Sequence, residues 1–275
     1  MFKSANGLLD FISCEKLDDC LYQGESKDLN TGQVYGGQVL GQAINAASDT
    51  VDEARILRSA HAYFLRKGDV NEPITYSVDR TLDGRSVSSR VVVAKQHGKQ
   101  MLHLSASYHR AEEGLDYKPE VDVPSEALDK AIKAKGFYTN HFQSEYLNII
   151  PIVDTKIVKN AMQFWVKAKE SLPDQIDKHE SVLTYISDSG LLFSALVPHG
   201  LQNRDDPNRP KIIMASIDHA IWLHRPFRVD DWFFYDCRSV STSGGRALCE
   251  GRLYDREGRL FASTMQEGIL RVKDK

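Results

Sequence analysis

The chain has 275 residues, with 35 Lys and Arg against 38 Asp and Glu, a net charge of −3. That near-balance argues against a nucleic-acid binder, which carries a basic excess; 41% apolar and 27% charged residues suit an ordinary globular chain. No apolar run approaches the roughly 18 residues that span a bilayer, and the N-terminus MFKSANGLLDFISCEKLDD turns acidic at once, unlike a secretion signal.

Residues 6–12 (NGLLDFI) read as a short amphipathic helix capped by Asn6. Residues 36–47 (GGQVLGQAINAA) read as a small-residue helix opened by Gly36 and Gly37 and packed closely on a sheet. Four strand-like segments follow at 57–66, 73–81, 86–96 and 100–109, the second alternating as Ile74, Tyr76, Val78. Turn signals at Lys67-Gly68-Asp69, Asp83-Gly84 and His97-Gly98 separate them. One helix and then an antiparallel meander is an α+β pattern. The stretch 113–157 is polar and carries Pro; it reads as a linker with a small helix at 126–135, capped by Ser125 and stopped at Gly136.

The second half repeats that order. A strand at 161–169 and a helical segment at 176–194 precede strands at 213–223, 231–240, 246–254 and 259–271. His61-Ala62-x-x-Leu65 aligns with His219-Ala220-x-x-Leu223, and Gly98-Lys99 with Gly258-Arg259. The inference is two similar modules, 1–112 and 158–275, each a curved antiparallel sheet wrapped around one helix. Such modules pack sheet to sheet and leave edge strands to cover, so a homo-oligomer is expected.

Several chemistries are missing. There is no G-x-S-x-G elbow, no G-x-G-x-x-G, no P-loop and no H-E-x-x-H. The cysteines, Cys14, Cys20, Cys237 and Cys249, make no C-x-x-C pair. They read as reduced thiols of a cytoplasmic protein, with Cys237 and Cys249 facing each other across a hairpin. No cofactor and no metal site are expected.

Four polar features stand in apolar settings. Asp188 lies within the apolar helical run from Val182 to Phe193, where a carboxylate needs partners unless it faces solvent or caps a turn. Ser216 and Asp218, two apart in MASIDHAIW, share one face of a strand. Thr264, Gln266 and Gly268 share a face of the last strand, and an exposed Gln there needs no function. His61 and its repeat partner His219 read, taken alone, as structural strand histidines.

Together, GGQVLGQAINAA, HAYFLRKGD, ASIDHAIWLHRPF and STMQEGILR resemble the acyl-CoA thioesterase II family, the TesB-type double-hotdog enzymes. The match runs nearly end to end. The resemblance implies a double hotdog fold, an acyl-CoA substrate and hydrolysis to fatty acid and CoA. It implies a catalytic Asp, Thr and Gln that position and activate a water, carried here by Asp188 in Tyr-x-Ser-Asp, Ser216 two residues before Asp-His, and Gln266 before Glu-Gly. Two positions depart from the family pattern: Ser216 stands where Thr is common, and Lys67 replaces a frequent Pro. Gly36 and Gly37 are candidates for oxyanion donors or for the thioester-end pocket, and His61 for substrate binding. The rival readings are a hotdog enoyl-CoA hydratase and an acyl-CoA-binding module without catalysis.

Overall fold

The computed structural model describes residues 7–118, 121–134, 136–137, 143, 145–152, 161–203 and 206–273. The first half runs α1 (Leu8–Ile12), β1 (Glu15–Asp18), β2 (Leu21–Gly24), α2 (Gly36–Ser48), β3 (Arg55–Phe64), β4 (Ile74–Asp83), β5 (Val87–Gln96) and β6 (Lys99–Arg110). After α3 (Ser125–Lys133), the second half runs β7 (Leu147–Pro151), β8 (Ala161–Ala168), α4 (Ile176–Ser187), a 3-10 segment (Leu192–His199), β9 (Lys211–Ser216), β10 (Asp218–Leu223), β11 (Phe233–Ser243), β12 (Arg246–Tyr254) and β13 (Leu260–Lys273). Asn6, the expected cap of α1, lies outside the described residues.

Among the described residues all thirteen strands belong to one antiparallel sheet. Its order β2-β4-β5-β6-β3 is followed by the mirror order β10-β13-β12-β11-β8, so the two halves are related about the β3–β10 seam. The halves therefore join edge to edge through β3 and β10, rather than stacking sheet on sheet as the repeat alone suggested. Each central edge strand finds its missing hydrogen-bond partners in the other half. β7, from the stretch read as linker, adds to the far edge beside β8.

The seam also corrects the repeat alignment. His219 pairs with Ala62, and His61 with Ala220. Directly paired residues share a face, so the two histidines lie on opposite faces of the sheet: His219 is buried inside and His61 exposed outside. The alignment of His61 with His219 is one residue out of step, and a one-residue slip reverses every side chain.

Two helices lie against the inner face, buried along nearly their whole length: Gly37–Ile44 in α2 and His179–Ser187 in α4 are continuously buried. Glycine lets them approach. A Cβ on Gly37 would lie 2.3 Å from the Tyr185 carbonyl oxygen, and one on Gly41, a turn later, 2.9 Å from that of Ser181. Ile176–His199 is long and apolar enough in composition to cross a membrane, yet it is mostly buried and its helix breaks after Ser187. That break corrects the continuous helix expected over 176–194: Gly190, at φ +73°, turns the chain into the 3-10 segment.

The expected single strand at 213–223 is two strands with a bulge between them. Ser216 pairs with Gly268 and Ala220 with Met265, so β13 has one residue fewer between these pairs than the strand opposite. The bulge separates the faces of Ser216 and Asp218. Ser216 points inward beside Gln266, whereas Asp218 pairs with exposed Tyr63 and accepts the Glu267 N–H at 2.6 Å. Cys237 and Cys249 do not face each other, because their strand partners are Gly251 and Ser239; both are buried free thiols.

Candidate active site

The C-terminal end of α4 meets the N-terminal end of α2 over β9 and β13. Asp188 is the C-cap of α4, not a mid-helix residue. On β13, Thr264, Gln266 and Gly268 alternate inward as expected, and Gln266 is fully buried. Its amide Nε2 donates to Asp188 Oδ1 at 2.5 Å and to Ser216 Oγ at 3.0 Å. Two side chains, 50 and 78 residues from Gln266 along the chain, are thus joined through its one nitrogen.

The start of α2 completes the cluster. The first amides of a helix have no intrahelical acceptor, and the Gly37 N–H donates to Asp188. A Cβ on Gly36 would lie 2.8 Å from Asp188 Oδ2 and 3.2 Å from the Phe64 ring, so this approach needs glycine. Burial pushes the Asp188 carboxyl up to about 6, against the lowering effect of the bonds from Gln266 and Gly37. A base with that affinity is ionised at neutral pH and still takes a proton readily.

Asp188, Ser216 and Gly36 open onto a cleft of about 470 Å³. Its apolar walls include Val39, Leu192, Phe193, Met214 and Ile269, and Arg66 and Lys67 stand on its rim. No histidine lines it among the described residues. The sheet carries His61 away from this cleft: it is exposed on the outer face, edge-on to Trp222 with ring centroids 4.9 Å apart. The structure therefore brings together Asp188, Ser216, Gln266, Gly36 and Gly37, and leaves out His61. Among the described residues no cluster of His, Cys, Asp and Glu could hold a metal.

The sequence did not single out two contributors. Tyr35, immediately before α2, donates its hydroxyl to the Tyr185 carbonyl at 3.2 Å and so ties the two helix ends. Tyr235 donates to the Ser187 carbonyl at 2.5 Å. In the sequence both are ordinary aromatic residues beside apolar ones, and nothing local marks their hydroxyls.

The profile of a family described as Acyl-CoA thioesterase matches residues 135–269, and that of an Acyl-CoA thioesterase N-terminal domain matches 26–109. The chain is 34% identical to Acyl-CoA thioesterase 2 of Haemophilus influenzae, over 98% of each. It superposes on the crystal structure of an acyl-CoA thioesterase II, TesB2, from Mycobacterium marinum with a TM-score of 0.80 and 32% identity, covering 97% of this chain and 98% of that one. A protein described as having a hot dog fold, from Alicyclobacillus acidocaldarius, matches at TM-score 0.76 with 13% identity over 96% of this chain and 97% of the other, which bears on the fold alone. The double hotdog implied by the resemblance is the fold observed.

Proposed function

The chain belongs to the acyl-CoA thioesterase family, and on that premise we propose that it hydrolyses acyl-CoA with Asp188 as general base and Ser216 and Gln266 as the groups that orient base and water. The observation that carries this reading is the shared Gln266 nitrogen, which holds a carboxylate and a hydroxyl side by side at the wall of an apolar cleft.

A water beside Asp188 and Ser216 gives its proton to the Asp188 carboxylate as its oxygen attacks the thioester carbonyl. The tetrahedral intermediate then expels the thiolate, which recovers the proton from Asp188, leaving a carboxylic acid and CoA. The bond from Gln266 fixes the carboxylate, so little reorganisation accompanies proton transfer. Gly37 is committed to Asp188, so the Gly36 N–H, at the cleft and with no hydrogen-bond partner among the described residues, is the donor suited to the developing oxyanion. The acyl chain takes the apolar walls, and Arg66 and Lys67 at the rim suit the phosphates of CoA.

The hydratase alternative needs a histidine beside the acid, and none lines the cleft among the described residues. To this reading we add the division into 1–112, 113–157 and 158–275, a cytoplasmic location and a homo-oligomer. The unpaired state of all four cysteines supports a reducing compartment. The small residues Ser59, Ser105, Ala220 and Ser263 on the outer face at the seam suit contact with another copy.

The test is thiol release from acyl-CoAs of increasing chain length by the parent and by Asp188→Asn. The parent turns over, and Asn lowers kcat by about 10²–10⁴. A folded Asp188→Asn within about threefold of the parent removes Asp188 from the role of base.

A further inference from the structure

Asp188 is carried by a turn whose preceding residue, Ser187, is fully buried and held from two sides. The Ser187 hydroxyl donates to the Thr184 carbonyl at 2.9 Å and lies 2.9 Å from His219 Nε2. One hydroxyl has one proton, so His219 donates from Nε2. Burial keeps the ring neutral, lowering it to about 3. On the other side, the single hydroxyl proton of Tyr235 goes to the Ser187 carbonyl at 2.5 Å. The 3.0 Å contact between Tyr235 and Thr264 is then a donation from Thr264 to Tyr235.

Thr264 lies two residues from Gln266 on the same face of β13. The base and Gln266 are consequently joined twice: directly in front, and behind through Ser187, Tyr235 and Thr264. Space for the rear connection depends on Gly251 of β12, where a Cβ would lie 2.3 Å from Thr264 Oγ1 and 2.5 Å from the Tyr235 ring. The second ring nitrogen of His219, Nδ1, is buried without a hydrogen-bond partner among the described residues. An unpaired buried acceptor is unfavourable, so the ring is held in place at a cost and makes a single bond, to Ser187.

We infer that His219, Tyr235 and Thr264 are positioning residues, which hold the Ser187–Asp188 turn against Gln266 and so set the direction of the Asp188 carboxylate. This rests on Asp188 being the base. None of the three lines the cleft, so their loss acts on turnover and spares substrate binding. A purely structural role would not separate the two.

The experiment uses the full chain with His219→Leu, His219→Gln, Tyr235→Phe and Thr264→Val, beside the parent and Asp188→Asn. It measures kcat and KM by thiol release and checks the fold by circular dichroism. His219→Leu and Tyr235→Phe are expected to lower kcat about tenfold with KM within about twofold, since small misplacements of a reacting group have large effects on rate. His219→Gln, whose amide nitrogen can donate to the same Ser187 oxygen, returns kcat to within about threefold of the parent. Parental kcat in His219→Leu and Tyr235→Phe overturns the inference, as does a Gln variant no better than Leu or a KM that rises in step with the fall in kcat. If His219→Leu or Tyr235→Phe does not fold, Thr264→Val decides: kcat reduced about threefold at constant KM supports the brace, and parental kcat overturns it. A fully active Asp188→Asn instead overturns the reading of Asp188 as base, a result distinct from any of these.

Discussion

Leu57 and Ser216 occupy equivalent positions in the two halves of the sheet. Each is the last paired residue before a one-residue bulge: Leu57 pairs with Tyr108 ahead of Arg58, and Ser216 pairs with Gly268 ahead of Ile217. Around these matched bulges the chemistry differs. The Leu57 amide donates to buried Glu180 at 2.9 Å, whereas the Ser216 hydroxyl accepts from Gln266. Ala106, two residues before Tyr108, stands where Gln266 stands before Gly268. Asp49, the C-cap of α2 as Asp188 is of α4, is taken up by Lys16 and Tyr22. Among the described residues the matched positions of the duplicated frame therefore carry this carboxylate–hydroxyl–amide cluster in the second half and not in the first.

Ser216 contributes an oxygen and little bulk. Ser216→Ala removes one acceptor of the Gln266 amide and is expected to lower kcat about tenfold in thiol-release kinetics, because an orienting bond is lost while the base remains. Ser216→Thr keeps the oxygen and adds the methyl group that restricts χ1. Its kcat should stay within about threefold of the parent; equal losses in Thr and Ala would show that the hydroxyl does not act through its oxygen.

The carboxyl of Asp188, pushed up to about 6 by burial, gives the rate a pH signature. As a base it works ionised, so kcat should fall about tenfold per unit as pH drops below 6. Gln266→Met removes a donor that favours the carboxylate and should move this acid limb to higher pH. Stability runs the other way. With a folded value above the ordinary 3.8, Asp188 contributes stability that is complete below 3.8 and lost as pH rises through 6. Asp188→Asn should therefore be more stable than the parent at pH 8, by about 1–3 kcal/mol in urea unfolding, while its kcat is lowered by about 10²–10⁴. An unchanged acid limb in Gln266→Met would count against the Gln266–Asp188 bond.

The two glycines that open α2 should respond differently to alanine. At Gly36 the new Cβ meets Asp188 Oδ2 at 2.8 Å and the Phe64 ring at 3.2 Å, side chains that can shift. At Gly37 it meets the backbone oxygen of Tyr185 at 2.3 Å, which cannot move without separating the helices. Gly36→Ala is expected to fold with kcat reduced about tenfold or more, and Gly37→Ala to lower the melting temperature by several degrees. Calorimetry and kinetics on the pair would reverse this reading if the losses were interchanged.

Glu180 is a buried carboxyl whose Oε1 accepts the Leu57 N–H at the first bulge, and burial pushes it up to about 8. Its contribution to stability is complete below the ordinary 4.5 and lost as pH rises through about 8. Glu180→Gln keeps an acceptor for Leu57 without the charge. Between pH 5 and 9 the parent should lose about 3–5 kcal/mol that the Gln variant keeps, seen as a flatter dependence of melting temperature on pH. Parallel slopes in the two proteins would exclude Glu180 as the source.

The helices and most strands were legible from local pattern, because the alternation of Ile74, Tyr76 and Val78 and the turn glycines express a period that each segment carries within itself. The bulge at Ile217 was not. Nothing in MASIDHAIW marks it locally, and a bulge exists only between a strand and its partner. That one event reversed the expected common face of Ser216 and Asp218. In the same way, aligning His61 with His219 captured the repeat and missed the seam register, which alone determines which histidine is buried.

The residue types of the site were also present in the sequence, and their motifs pointed to a family. By itself the chain determined the order of its elements and the carboxylate, hydroxyl and amide available to it. Tertiary structure decided that Gln266 would touch both Asp188 and Ser216, that α2 of the other half would supply the Gly37 amide, and that His61 would face outward. The reason is distance along the chain. Local sequence governs periods of two and 3.6 residues, whereas contacts across 50 to 151 residues depend on which strand edges and helix ends the whole fold brings together.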